Sequence, residues 1–432
     1  MNITEINNTK VGKDILELIK ELFPICRSIT GNGVRETLSI IKEIIPELKI
    51  FEVKSNTKVF DWDVPKEWNI NDAYIKNSKN EKIIDFKKSN LHVLNYSIPI
   101  NCKLSLAELK KHIFTNKDQP NLIPYRTSYY KENWGFCMSE KQFKSLEEDT
   151  YEIVIDSSLE NGSLTYGELF LKGQNPEEIL LTCYVCHPSM CNDNLSGTCL
   201  LTHLSNAMSK MKLKYSYRFL FIPETIGAIV WLSKNQNSLS NIKFGIVATC
   251  VGDRGKITFK KTKNGNSLID KITEETLTNS KKPYKIVDFF PWGSDERQFS
   301  SPGINIPMAS IMRTMYSQFP EYHTSGDNLD FMSSESLEDS FGLYLEIIKQ
   351  IESHESLENY EKEKTTIDKI DDEIYKNLNP FCEPQLGKRG LYEMTGGMQQ
   401  NSITKNAIFW ILNFSDGNYS LRKISELAGI NY

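Results

Sequence analysis

Leu181-Thr-Cys-Tyr-Val-Cys-His-Pro-Ser-Met-Cys-Asn-Asp-Asn-Leu-Ser-Gly197 decides the fold of this 432-residue chain. Just upstream, Glu178-Ile-Leu-Leu-Thr-Cys-Tyr184 is an apolar run without helical spacing that follows a turn at Gly173 to Pro176, so it predicts a buried strand. Downstream, the polar Asp193-Asn-Leu-Ser-Gly197 leads into Thr198 to Met211, whose apolar residues recur at helical spacing. His187 and Asp193 therefore flank one loop at the carboxyl edge of a predicted sheet, where open α/β folds place their ligand sites. Three interpretations fit this loop taken alone. It can be a zinc site, since neutral imidazole and carboxylate are ordinary ligands of that ion. Its spelling Cys183-Tyr-Val-Cys186-His187 also matches the C-x-x-C-H haem attachment pattern, although the cysteines would then lie in a buried strand. In the third, Cys183 and Cys186 are small core residues and His187 caps a turn.

The rest of the chain sets bounds on these interpretations. Its length suffices for two or three domains and a large core. With 51 basic and 56 acidic residues the formal charge is −5, which recommends neither nucleic acid nor an anionic membrane as the main partner. No apolar run is long enough to span a bilayer, and Met1 to Lys13 is too polar for a signal peptide, so a cytoplasmic protein is expected. Nine cysteines, an odd number in mostly apolar contexts, predict free thiols rather than disulfides.

Helical spacing predicts helices at Gly12 to Phe23 and Val34 to Ile45, and alternation predicts a strand at Leu48 to Val53. From about 57 to 147 the texture changes to short strand-like pieces separated by Pro, Asn and aromatic residues, which predicts a small β-rich inserted domain. Its Trp62, Trp68 and Trp134 read as core residues. From Tyr151 strands and helices alternate, as in a doubly wound sheet, with strands at Tyr215 to Ile222, Ile242 to Val251, Tyr284 to Phe290 and Ile304 to Arg313. Their ends deliver polar residues into loops: Glu224, Asp253, Asp295 and, further on, His323. A long amphipathic helix follows at Ser334 to Glu352. The charged stretch His354 to Lys376 reads as a solvated helix or linker. Beyond it, a Gly-rich loop at Thr395 to Gly397, a helix at Lys405 to Asn413, a turn at Ser415 to Gly417 and Ser420 to Leu427 have helix-turn-helix texture. A near-neutral charge there favours docking to protein over DNA. The expected domains are thus 1–56 with 148–355, an insertion at 57–147, and a linker with a small domain at 356–432.

His187, Asp193-Asn-Leu-Ser-Gly197, Glu224-Thr-Ile-Gly227, Gly293-Ser-Asp295 and Tyr322-His-Thr324 together resemble the ordered motifs of the co-catalytic zinc aminopeptidases. Leu22-Phe-Pro-Ile-Cys-Arg-Ser-Ile-Thr-Gly31, Trp134-Gly-Phe-Cys137 and Gly293-Ser-Asp-Glu-Arg-Gln-Phe299 are similar to a bacterial family with an aminopeptidase-like core, a small inserted domain and a C-terminal winged helix, often associated with polysaccharide biosynthesis. The resemblance covers nearly the whole chain. It implies an aminopeptidase-like mixed, doubly wound α/β sheet with helices on both faces. Carried across residue by residue, it makes His187 a zinc ligand, Asp193 the carboxylate that bridges two zincs, His323 the ligand of the other metal and Glu224 the general base. The sequence departs from that pattern at Thr225, where a second Glu ligates zinc, at Cys250, near the remaining Asp ligand, and at Ser189, where an Asp orients the first His. Two metals are therefore short of ligands.

Three N/O ligands, His187, Asp193 and His323, are the count for one catalytic zinc ion per chain. Asp253, Asp295 and Cys250 are further candidates as ligands or as partners that orient them. Arg297 and Arg313 are candidates for binding a substrate carboxylate, and Arg126, beside Pro124 and Tyr125, for reaching the substrate. The expected function is a zinc-dependent hydrolase of peptide or amide bonds, acting on a small peptide or amino-acyl conjugate with Glu224 as general base. The alternative is a degenerate hydrolase fold that binds a ligand or zinc and regulates or docks through its C-terminal domain.

Overall fold

A computed structural model describes residues 10–357, 373–391 and 403–431. The Gly-rich stretch Thr395 to Gly397 and most of the linker at 354–376 lie outside the described residues. The body is built on an eight-stranded mixed sheet in the order Lys49–Lys54, Ser163–Leu171, Ser216–Ile222, Glu178–Tyr184, Ile242–Ala248, Met308–Met312, Ile257–Lys260, Tyr284–Val287. The four strands from Ser216–Ile222 to Met308–Met312 are mutually parallel. Glu178–Tyr184 lies among them with every residue buried. Ile179, Leu181 and Cys183 face one core and Leu180, Tyr184 the other, and burial on both faces is why the run shows no polar alternation. On the first face pack the helices Val11–Leu22, Asn32–Ile44, Gly197–Met208, Leu268–Ser280 and Ser334–Ser353. On the second packs Ile226–Lys234, joined by the short helix Glu296–Phe299.

The chain leaves Glu178–Tyr184 for Ser216–Ile222 on one side, then returns to Ile242–Ala248 on the other. The carboxyl end of Glu178–Tyr184 is therefore a topological switch point, where the outgoing loops part and leave a crevice. The loop that follows enters Gly197–Met208 through Gly197. A Cβ at that position would stand 2.3 Å from the Ala248 carbonyl oxygen, so only glycine admits this approach of helix to strand.

An antiparallel four-stranded sheet in the order Lys82–Asp85, Glu67–Lys76, Thr150–Glu160, Ile100–Ser105 has its own small core around Ile75, Ile84, Phe136 and Ile153. Thr150–Glu160 passes through a two-residue connection into Ser163–Leu171 of the main sheet, which fastens this module to the body. Trp62 and Trp68 are buried in the second-face core, whereas the half-buried Trp134 stacks on His112. At the C-terminal end, Ile403–Phe414 and Leu421–Ala428 flank the strand Asp416–Ser420, which pairs antiparallel with Ile374–Lys376. A strand thus occupies the predicted turn. Trp410, Phe414, Tyr419 and Ile424 pack with Phe289 of the body. Among the described residues no helix is long and apolar enough to cross a membrane.

Candidate metal centre

His187 stands three residues beyond Glu178–Tyr184, and Asp193 stands on the irregular turn before Gly197–Met208. His323 comes from the connection between Met308–Met312 and Ser334–Ser353. The structure brings one ligand atom from each of the three to within 4.8 Å of the others. His323 Nε2 lies 3.0 Å from Asp193 Oδ2, and His187 Nε2 lies 3.9 Å from Glu224 Oε2. Glu224 follows Ser216–Ile222, so all four groups lie on connections that leave carboxyl ends of the parallel run from Ser216–Ile222 to Met308–Met312.

Their surroundings fix both charge and orientation. Burial pushes His187 down to about 4, which leaves its imidazole neutral and able to ligate at neutral pH. Burial alone would raise Asp193, but the His187 and His323 rings and the Tyr184 hydroxyl bring it down to about 2. Tyr184 donates to Asp193 Oδ1 and shares a 2.7 Å hydrogen bond with Thr249 Oγ1. The other oxygen, Asp193 Oδ2, is buried without a hydrogen-bond partner despite its nearness to His323. An ionised carboxylate oxygen left bare in a buried site, with two imidazoles beside it, suits a cation, and the donor set of two nitrogens and one oxygen suits zinc. The Asp193 turn is held from behind: the backbone N–H groups of Asn192 and Asp193 donate to Asp327 at 2.6 and 2.9 Å. Arg27 donates to the His187 carbonyl at 3.0 Å. Tyr125 of the inserted module sets its ring against both imidazoles, Tyr322 stacks on His323, and the Tyr125 N–H donates to the His323 carbonyl at 2.7 Å.

Glu224 is partly buried, and burial together with the Asp295 and Asp193 carboxylates pushes its acid well above the ordinary range. Burial also takes Asp295 up to about 7, against the Thr225 N–H that donates to it at 2.6 Å. Asp295 therefore sits beside Glu224 rather than in the ligand cluster. Cys250 is buried near Asp193, where its Sγ accepts from Thr249 Oγ1 at 3.4 Å. Asp253 is fully engaged elsewhere: it accepts from Asn192, Gly255 and both the N–H and hydroxyl of Thr314. Asn192 in turn receives the Gly252 N–H, so Asp253 braces the Asp193 turn at one remove.

The three arginines lie apart from one another. Arg126 is buried in the inserted module and donates to the Tyr125 carbonyl at 2.8 Å. Arg313 ties Gly255 to Asp339 and Ser340 of Ser334–Ser353. Arg297 is at the centre, where it bridges Glu383 and the Thr225 hydroxyl. Cys183 and Cys186 face opposite cores, so they cannot together hold a haem. Sequence patterns assigned no role to Tyr125, Tyr184, Tyr322, Arg27 or Asp327, although Tyr184, Tyr322 and Arg27 stand within the motif-bearing stretches. Nothing local ties Arg27 or Asp327 to the loop.

A family model described as a domain of unknown function (DUF4910) matches residues 16–354, and a winged helix-turn-helix model matches residues 373–432. A Clostridium acetobutylicum protein, provisionally named a polysaccharide biosynthesis protein with an aminopeptidase-like domain, is 56% identical over 426 residues, covering 99% of this chain and 94% of that one. A crystal structure from the same organism, of a protein provisionally named a peptidase, superposes with a TM-score of 0.79 at 55% identity, covering 98% of this chain and 93% of the other. BSAP, a zinc aminopeptidase from Bacillus subtilis, has the same fold with a TM-score of 0.60 at 12% identity, over 80% of this chain and 95% of its own. Because the first model spans the sheet, the inserted module and every residue of the centre, the chain belongs to the DUF4910 family, with an aminopeptidase-like α/β body followed by a winged helix.

Proposed function

We propose that the chain is a zinc-dependent, aminopeptidase-like hydrolase of peptide or amide bonds with one metal ion per chain, acting on a small peptide or amino-acyl conjugate. The observation that carries this is the convergence of His187, Asp193 and His323 with Glu224 placed 3.9 Å from the His187 imidazole. His187, Asp193 Oδ2 and His323 would hold the ion, which when bound supplies a Lewis acid for the scissile carbonyl and acidifies water. Glu224 Oε2 accepts the proton of the attacking water and returns it to the departing amine nitrogen. Burial, together with the Asp295 and Asp193 carboxylates, favours the protonated form of Glu224 and helps it to hold that proton between the two transfers. Tyr125 and Tyr322 line the imidazoles with aromatic surface and limit water around the reacting bond.

The use of Tyr184 to satisfy Asp193 Oδ1, with Thr225 and Cys250 at the places of further ligands, supports one metal rather than two. The same features support the alternative of a zinc- or ligand-binding regulatory protein. Metal content and hydrolysis of amino-acyl p-nitroanilides and amino-acylated sugars, measured on wild type, Glu224→Gln and His323→Ala, separate the two. The hydrolase predicts about one zinc in wild type and in Glu224→Gln, turnover in wild type alone, and metal lost from His323→Ala. Zinc bound without turnover of any probe supports the binding protein instead, and absence of zinc from wild type overturns the hydrolase and leaves a ligand-binding protein.

A further inference from the structure

The segment at 380–389 is an arm that seats Cys382 in the second-face core of the sheet and contacts both the inserted module and the catalytic body. On the module side, Trp62 Nε1 donates to the Glu383 carbonyl at 2.8 Å and Asp61 accepts the Gln385 N–H at 2.7 Å. On the body side, the Glu383 N–H donates to Gln298 Oε1 and the Cys382 N–H to Ser301 Oγ, both at 2.9 Å. The Glu383 carboxylate, almost fully buried, accepts from Arg297 Nε at 2.8 Å. Arg297 Nη2 then donates to Thr225 Oγ1 at 3.1 Å, and the Thr225 N–H donates to Asp295 Oδ1 at 2.6 Å.

Thr225 is a β-branched residue with φ +62°, a backbone conformation such side chains avoid. It persists only where the surroundings impose it. Here it is imposed from two directions, by Asp295 on the backbone and by Arg297 on the hydroxyl, and the peptide so fixed is the one that joins Thr225 to Glu224. We propose that Arg297 and Glu383 are positioning residues for Glu224, so that the arm at 380–389 sets the geometry of the base from outside the catalytic body. The proposal rests on Glu224 being the proton acceptor, as above. It assigns Arg297 to the enzyme's own framework instead of to a substrate carboxylate, and it makes the docked arm part of the hydrolase.

The test uses the whole chain in five versions: wild type, Glu383→Gln, Glu383→Asp, Thr225→Val, which deletes only the hydroxyl that Arg297 holds, and Lys388→Ala, which removes an exposed arm contact to Asp63 that leads nowhere near Thr225. Hydrogen exchange is followed by mass spectrometry in the peptide covering 223–229 and in that covering 187–197, alongside zinc content and kcat and KM on leucine p-nitroanilide. Exchange across 223–229 is expected to rise about tenfold in Glu383→Gln and Thr225→Val, with 187–197 and zinc content unchanged and Lys388→Ala like wild type. The same two variants are expected to lose about tenfold in kcat at constant KM, with partial recovery in Glu383→Asp. Unchanged exchange across 223–229 in both variants would overturn the proposal. Failure of wild type to turn over the probe counts against the hydrolase reading alone, and the exchange measurement still decides whether the arm controls the Glu224 turn.

Discussion

Tyr184→Phe isolates the group that fixes Asp193. The ring packs against His187 with centroids 5.2 Å apart, and phenylalanine keeps that packing while removing only the hydroxyl. Lost with it are the hydrogen bond to Asp193 Oδ1 and the 2.7 Å contact to Thr249. A hydrogen bond to a charged group contributes about 1.5–3 kcal/mol, and at 1% exposure Asp193 has little water to replace it. Without metal, the variant should therefore be destabilised by about that amount in urea unfolding. With metal, loss of a group that orients a ligand lowers affinity by about 10–100-fold, equivalent to about 1.4–2.7 kcal/mol. Competition for zinc against a chromogenic chelator near neutral pH measures it. Thr249→Val, which leaves the Tyr184 bond to Asp193 in place, should have the smaller effect. Zinc affinity in Tyr184→Phe within about twofold of wild type would refute the reasoning, because Asp193 would then need no orientation or would not bind the ion.

Glu224→Gln should reduce kcat by about 10²–10⁴-fold while zinc per chain stays constant, read by steady-state kinetics and metal analysis on one preparation. Lys260 and Glu296 form a fully buried pair, and Lys260 also donates to Trp292 and Tyr316. Lys260→Met strands Glu296 in the core and should destabilise the protein by about 3–5 kcal/mol, whereas removing both charges should recover much of the loss, as a double-mutant unfolding cycle would show. Hydrogen bonds from Arg35 hold Glu67 at about 2, below its usual 4.5. Between those values the unfolded chain binds the extra proton, so this stabilisation is complete above about pH 4.5 and disappears as pH falls to about 2. Glu67→Gln should accordingly flatten the acid limb of a stability profile and leave its neutral region parallel to wild type.

The sequence made legible those features whose cause is local. Glu178–Tyr184 is a strand with no alternation because both faces are covered, and its apolar run has the limits of the strand itself. The nearness of His187 and Asp193 follows from one short loop. The helix Ile226–Lys234 is harder to read because it is buried on nearly every side, so that its apolar residues show no period that separates helix from strand. Ile257–Lys260 and Leu268–Ser280 went unread for a related reason: a four-residue buried strand and a helix with Lys, Glu and Asn on its outer face lie within a stretch of otherwise polar composition. The groups around the metal ligands are illegible for a different reason. Tyr125, Arg27 and Asp327 act through contacts with residues distant in sequence, and no spacing rule connects such pairs.

The departures from the aminopeptidase pattern become intelligible once their hydrogen bonds are followed. A carboxylate that bridges two ions needs both oxygens, but here Tyr184 takes Oδ1 of Asp193 and only Oδ2 remains bare. Thr225, in place of a ligating glutamate, offers a hydroxyl that Arg297 holds and an N–H that Asp295 holds. Cys250, close to Asp193, stands as a buried thiol where the pattern has a carboxylate nearby, and burial raises it well above its usual range in the absence of an ion. At three points where a second ion would require carboxylates, the chain supplies a hydroxyl, a guanidinium-bound threonine and a thiol. A second cation there would lack the carboxylates that offset its desolvation, so loss of those ligands and gain of these hydrogen bonds are one change with a single physical consequence. On the proposed function, chemistry at this centre depends on one ion and on how firmly Glu224 is held, which makes the Thr225 turn and its link to Glu383 as consequential as the candidate ligands themselves.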